Sequence, residues 1–335
     1  MSRSRHIPLS LGLPLMLVGG AMLPLQGRIN GALAIRIDDT ITASLISFYT
    51  GLLVMVVITL MLPRGRAGFR QIVPTLRERR VPRWYLLAGI SGGYFVLMQA
   101  GTIGLLGVAV FTVAVVAGQS LSSLVVDRIG IGPGGRRRIT FPRLGGAVLT
   151  LASVVVALSP RFSGEADSAA LILVVLLPLL AGLFSSAQHA MNGSAAVAYG
   201  TPITATTLNF LMGAAVLTII WLGRLVIFGG TVALPSDWWY YLGGPLGTIF
   251  VGMTTLLVRT MGILLASLGM IAGQLLGSLA LDIFVPTAGT VIAPATVVGT
   301  LLTLGAVVFA TLPWSKPVHI RPRAEPATAH TRTGR

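Results

Sequence analysis

Gln26 and Asn30 stand four residues apart inside an apolar stretch, and the same pair returns 162 residues later as Gln188 and Asn192. A spacing of four sets both carboxamides on one helical face. A second motif begins at Gly118-Gln119 and ends at Asp127; it repeats from Gly273-Gln274 to Asp282. Gln119, Ser123 and Asp127 therefore share a face at i, i+4 and i+8, as do Gln274, Ser278 and Asp282. Carboxamides donate and accept hydrogen bonds without charge, so the chemistry open to them is neutral recognition of a polar solute. Ser47 and Asn209 are matched polar positions ahead of Phe48 and Phe210, which would give such a site aromatic walls. Asp127, Asp282 and His189 are the groups that could gate the path or couple it to protons or other ions.

Each of these residues also has a purely structural explanation. An interhelical carboxamide bond in a membrane is worth about 0.6 kcal/mol and at most roughly 2. Asp127 lies beside Arg128, as an interfacial ion pair would, whereas Asp282 has no basic neighbour in sequence. His189 corresponds to Gly27 in the earlier copy and so stands outside the matched set.

The elements that must hold these groups are membrane helices. The chain has 335 residues, 54% hydrophobic and only 10% charged, with a mean hydropathy of +0.87. That is too apolar for a water-soluble globule. Spans are predicted at 9–31, 40–62, 84–104, 107–127, 143–159, 169–192, 203–227, 238–258, 262–284 and 291–312, with glycine-containing breaks at Gly104 to Gly107 and at Gly262. The basic residues behind the formal charge of +15 cluster in the segments between apolar runs, which speaks for membrane topology and against nucleic acid as a partner. With the N-terminus inside, twenty of the 24 basic residues fall on the cytoplasmic side, and only Arg28, Arg36, Arg161 and Arg224 lie outside. Both termini are then cytoplasmic in a multi-pass cell-membrane protein, with the lipid bilayer as its first partner. Trp238, Trp239, Tyr240 and Tyr241 read as an aromatic anchor at the outer boundary. Residues 313–335 read as a disordered basic tail.

The repeat extends beyond the polar motifs. Gly20, Ile41, Thr42, Ala43, Phe48 and Gly51 recur as Gly182, Ile203, Thr204, Ala205, Phe210 and Gly213, again 162 residues on. The fold class expected is an all-α integral membrane protein of ten transmembrane helices, arranged as two inverted five-helix repeats over 1–160 and 161–312. Five is odd, so the second copy enters from the opposite face. Arginines crowd two loops of the first copy and are missing from the matching loops at 228–237 and 285–290. Inverted repeats are a common architecture of alternating-access transporters, with the substrate site between the repeats.

Pro24-Leu25-Gln26 with Asn30, Ser47-Phe48 with Gly51, and the two Gly-Gln to Asp segments make the chain resemble the drug/metabolite transporter superfamily. It resembles in particular the ten-helix YdcZ-like inner-membrane exporters. The resemblance spans residues 9–312 and implies export of a small molecule. It departs from the small multidrug exporters, whose first helix carries a membrane-embedded Glu; here Gln26 and Gln188 are the nearest deep polar groups.

The expected activity is secondary-active transport of a small polar or amphipathic solute, lined by Gln26, Asn30, Ser47, Gln119, Gln188, Asn192, Asn209 and Gln274. A lipid-linked intermediate is an alternative cargo, and a non-transporting scaffold or sensor an alternative role. No HExxH, GxSxG, GxxxxGK[ST] or cysteine nucleophile occurs, so neither enzyme activity nor ATP-driven transport is expected of this chain, and no cofactor or metal. The active unit is expected to be a monomer or a homodimer.

Overall fold

A computed structural model describes residues 8–311, apart from 134, 137, 163–167, 231 and 289. The expected tail at 313–335 lies outside the described residues. Among the described residues there are helices and no strands. Ten of the helices have 18 residues or more: α1 (Leu9–Ile37), α2 (Thr40–Met61), α5 (Ala88–Leu106), α6 (Val108–Ile129), α7 (Phe141–Phe162), α8 (Ser168–Ala198), α9 (Pro202–Phe228), α10 (Gly243–Met261), α11 (Ile263–Phe284) and α12 (Pro294–Thr311). Counting the described residues alone, nine of them, all but α10, are long and apolar enough to cross a membrane. Between α2 and α5 lie two short helices, α3 (Pro63–Arg70) and α4 (Ile72–Arg77), in the arginine-rich segment read as loop.

Local chemistry explains where the helices start and stop. Asp39 caps α2, its Oδ1 accepting from the Ile41 and Thr42 amides at 3.0 Å. Thr201 accepts from the Ile203 amide ahead of Pro202, the first residue of α9. Gly107 and Gly262 adopt φ of +77° and +88°, which breaks the α5–α6 and α10–α11 runs where glycine is readily accommodated. The helices extend past the predicted spans where no turn residue interrupts them: α1 runs on to Ile37 and α8 to Ala198. A division after residue 160 falls inside the last turn of α7. Trp238 to Leu242 form a 3-10 turn leading into α10, with the Trp239 and Tyr240 rings stacked at 3.7 Å.

Successive long helices run antiparallel, giving the bundle two ends. At the Asp282 end, α1, α5, α7 and α11 finish while α2 and α6 begin: Gly101 meets Thr40, Gly104 meets Ile35, and Arg161 donates to the Leu105 and Leu106 carbonyls at 3.0 and 2.7 Å. At the Asp127 end, α6 finishes, α9 begins, and α3 and α4 pack, with Gly68 against Thr201 and Thr204. Leu53, Leu60, Val155, Val226 and Ile227 are exposed on the bundle's flanks. Apolar surface on this scale suits hydrocarbon rather than water.

The helix contacts come in pairs that exchange the two halves of the sequence. Gly20 of α1 abuts the α11 backbone at Met270 and Gly273; its repeat mate Gly182 of α8 abuts the α6 backbone at Val115 and Gln119. Gly273 presses on Leu17 of α1, as Gly118 does on Leu179 of α8. Gly51 faces the Phe210 ring while Gly213 faces Phe48, and the two rings lie 5.4 Å apart where α2 crosses α9. Gly89 of α5 meets Asn209 and Gly213 of α9, and Gly244 of α10 meets Ser47 and Gly51 of α2. Gly146 of α7 packs against Ala306 and Ala310, as Gly299 of α12 packs against Ser153 and Ala157. Small residues at these crossings let backbones approach closely, which is how helices gain packing where no hydrophobic force drives them together.

Candidate functional site

Six of the polar residues named from the sequence fall into two clusters, one toward each end, near the Phe48 and Phe210 rings. Toward the Asp282 end, α1 supplies Gln26 and Asn30 and α2 supplies Ser47, all buried. Gln99 of α5 completes this group. The Asn30 Nδ2 donates to Gln99 Oε1 at 3.1 Å, and Gln99 Nε2 donates to the Leu23 carbonyl at 3.3 Å. Gly243 and Gly247 of α10 close over the group: a methyl on Gly243 would strike Asn30 Oδ1, and one on Gly247 would lie 2.9 Å from Gln26 Oε1. Asn30 Oδ1 and Ser47 Oγ are buried without a hydrogen-bond partner. Unpaired buried oxygens cost roughly 1–3 kcal/mol each, so this cluster is under-satisfied as it stands.

Toward the Asp127 end, Gln188 and Asn192 of α8 both donate to Asn209 Oδ1 of α9, at 2.9 and 3.1 Å. These three side chains are half-buried, unlike their repeat mates. Gly92 of α5 abuts them, its absent Cβ 2.7 Å from Gln188 Nε2. A cavity of about 10 Å³ adjoins Asn192 and Asn209, walled by Tyr85, Tyr199 and Leu208. A second cavity of about 10 Å³ lies between α1, α5, α6 and α11, lined by Gln99, Gln274, Thr112, Phe95 and Phe111. Gln274 Oε1 is buried and unpaired there. Each cavity is close to the minimum for one water, so a solute needs the helices to move.

The structure does not gather all eight lining residues into one pocket. Gln119 is half-buried and lines neither cavity; its backbone carbonyl accepts from Ser186 Oγ at 2.8 Å. His189 is exposed on α8, with no hydrogen bond among the described residues. The two aspartates have different partners. Asp127 pairs with Arg143 at the start of α7 rather than with its neighbour Arg128. Asp282 is buried and takes the amides of Val108 and Ala109, at 2.9 and 2.7 Å, through its two carboxylate oxygens, with Thr290 Oγ1 donating at 3.3 Å. It thus caps α6, where the N-terminal dipole favours an anion.

Three features went unnoticed in the sequence. Gln99 corresponds to Thr254 in the second copy, so a search for matched polar pairs passes over it. Asp39 pairs with Arg224 of α9 at 3.2 Å, and Trp221 Nε1 donates to Thr42 Oγ1 at 3.1 Å, tying α2 to α9 across more than 170 residues. Gly92 and Gly247 are the floor against which Gln188 and Gln26 lie; two glycines 155 residues apart, in step with the Asp127 to Asp282 offset, were the available signal.

The family model described as "Putative inner membrane exporter, YdcZ" matches residues 11–156 and 173–309. The chain belongs to the YdcZ family. Membership agrees with a multi-pass membrane transporter, and the matched regions contain every residue of both clusters. A solved structure titled "Crystal structure of protein" is similar over 90% of this chain and 95% of its own, at 20% identity and a TM-score of 0.55. That likeness concerns the fold alone. No curated protein sequence matches this YdcZ-family chain.

Proposed function

We propose that this YdcZ-family protein is a secondary-active exporter of a small polar or amphipathic solute, working by alternating access between two inverted five-helix repeats. The repeats are residues 1–160 and 161–312, with α10 as the tenth span. The Asp282 end faces outward and the Asp127 end the cytoplasm, with both termini and the 313–335 tail on the cytoplasmic side. The observation that carries this reading is the exchange of glycine contacts between halves: each crossing of α1 on α11, α10 on α2 and α5 on α9 has its mate. A pseudo-two-fold axis in the membrane plane would generate such pairs, and the two-part family match supports it. The positive-inside rule supports the orientation: Arg64, Arg66, Arg70, Arg77, Arg128, Arg136 and Arg143 all lie toward the Asp127 end.

In this mechanism Gln26, Asn30, Ser47 and Gln99 form the outward half of the path and Gln188, Asn192 and Asn209 the cytoplasmic half. Gln274 and Gln119 lie along the helices between them. The aromatic pair separates the halves, so a solute is handed from one carboxamide set to the other as the repeats rock. Gly92 and Gly247 leave each glutamine amide free to turn between helix partners and solute.

Proteoliposomes loaded with a pH dye and offered cations, sugars and amino acids in turn test this. Solute-dependent proton release is expected, lost in Asn30→Leu and in Asn192→Leu. Cysteines introduced singly at Gln119 and Gln274 should react with a water-borne maleimide. A packed scaffold would show no flux and leave both cysteines unreactive from either side.

A further inference from the structure

The repeat mates Asp127 and Asp282 share a local sequence yet do different things. Asp282 fills the space above Gly107, its carboxylate oxygens 3.0 and 3.4 Å from where a glycine Cβ would stand. The matching glycine, Gly262 at the start of α11, has nothing among the described residues within 4 Å of that point. Asp127 is the residue that would fill it by symmetry, but it is given to Arg143, and among the described residues no hydrogen bond joins it to α11. The polar clusters show the same imbalance. Gln26, Asn30, Ser47 and Gln99 at the Asp282 end are between 0% and 4% exposed. Gln188, Asn192 and Asn209 at the other end are half-buried.

We infer that the two aspartates are alternating latches: Asp282 on the α6 N-terminus holds the outward end shut in this conformation, and in the opposite one Asp127 caps α11 at Gly262 while Asp282 lets go. The inference rests on alternating access by inverted repeats. Its physical basis is that a buried carboxylate across two amide donors at a helix start stabilises the closed end. The partly exposed Asp127–Arg143 pair that takes its place is worth less. Each latch thus belongs to one state, and the free aspartate rests on an arginine at the membrane boundary. Arg28 adds to outward closure, its Nε donating to the Val285 carbonyl at 3.0 Å and Nη2 to that of Pro286 at 3.2 Å.

Because the chain has no native cysteine, Ser47→Cys and Asn209→Cys report on the two ends through an impermeant maleimide applied to each face of sealed vesicles. Asp282→Asn should raise Ser47→Cys labelling from the outward face roughly 5–30-fold, the effect of one or two kcal/mol on a two-state balance, and lower Asn209→Cys labelling from the other. Asp127→Asn should move both rates the opposite way. Arg143→Gln, which frees Asp127 for α11, should act with the sign of Asp282→Asn. Asp127 and Arg143 lie at the partly exposed boundary, so these variants test the latch even if Asp282→Asn does not fold. The latch is refuted if the two reporters respond in opposite senses to imposed proton gradients but ignore all three substitutions, or if Asp127→Asn and Asp282→Asn act alike. Should Ser47→Cys stay unreactive in every background and gradient while Asn209→Cys never changes, alternating access itself fails.

Discussion

Gly244 and Gly247 sit three residues apart on α10, one turn along nearly the same face, and replacing each with alanine should have opposite consequences. At Gly244 the added methyl meets the α2 backbone itself, the Ser47 carbonyl and the Gly51 amide, before it meets the Thr50 side chain at 2.6 Å. Ordinary contact starts near 3.4 Å. Backbone in the middle of a helix cannot yield alone, so α10 and α2 must part along their whole crossing. Overpacking of this kind costs about 1–3 kcal/mol, and Gly244 belongs at the upper end because no side chain absorbs the clash. At Gly247 the methyl meets only the tip of Gln26, at 2.9 Å from Oε1, 3.1 Å from Nε2 and 3.2 Å from Cδ. A shift of about half an ångström by a flexible side chain relieves it, for no more than about 0.5–1.5 kcal/mol of rotamer strain. Gly247→Ala should therefore keep the thermal midpoint of the detergent-solubilised protein within a few degrees of the parent, while lowering solute flux in vesicles at least tenfold by turning the Gln26 amide. Gly244→Ala should lower the midpoint well beyond that. The repeat mates offer an internal control: Gly89→Ala should behave like Gly244→Ala, and Gly92→Ala like Gly247→Ala. Equal destabilisation by both α10 variants, or a Gly247→Ala protein that transports normally, would refute the reasoning.

Asp39→Ala removes a cap and leaves Arg224 without its carboxylate, so a loss of about 2–4 kcal/mol in unfolding free energy is expected, and Asp39→Asn, which keeps an acceptor for the Ile41 amide, should lose less; denaturant titration by circular dichroism measures both. Gln274→Leu deletes a buried unpaired oxygen and should leave stability unchanged or raise it by up to roughly 1–3 kcal/mol, yet abolish transport; a melting curve and a flux assay on one preparation separate these outcomes. Gln99→Leu removes the acceptor for Asn30 Nδ2 and the donor to Leu23, and should cost more stability than Thr254→Val at the mate position, read in the same melting assay.

Much of this molecule is set by local pattern. Long apolar runs, arginine-rich breaks, and recurring pairs such as Gln26–Asn30 and Gln188–Asn192 are written in neighbouring residues, because a membrane helix needs only its own length and hydrophobicity to form. The starts of α2 and α9 are likewise local, through Asp39 and Thr201 with Pro202. The division of the carboxamides into two clusters depended on which helices cross, and that is decided by glycine surfaces far apart in the chain: Gly20 on Gly273, Gly182 on Val115. Gln99 joins the cluster although its repeat position holds only Thr254, because α5 approaches α1 at that depth and Gln99 Oε1 accepts from Asn30 Nδ2 there. Asp127 and Asp282 are the sharpest case. Identical spacing puts each at a helix end, but the Val108 amide that Asp282 holds lies 174 residues away, while Asp127 turns to an arginine 16 residues on. A one-dimensional repeat specifies two equivalent positions; only the packed protein, which occupies a single arrangement of its halves, makes them unequal.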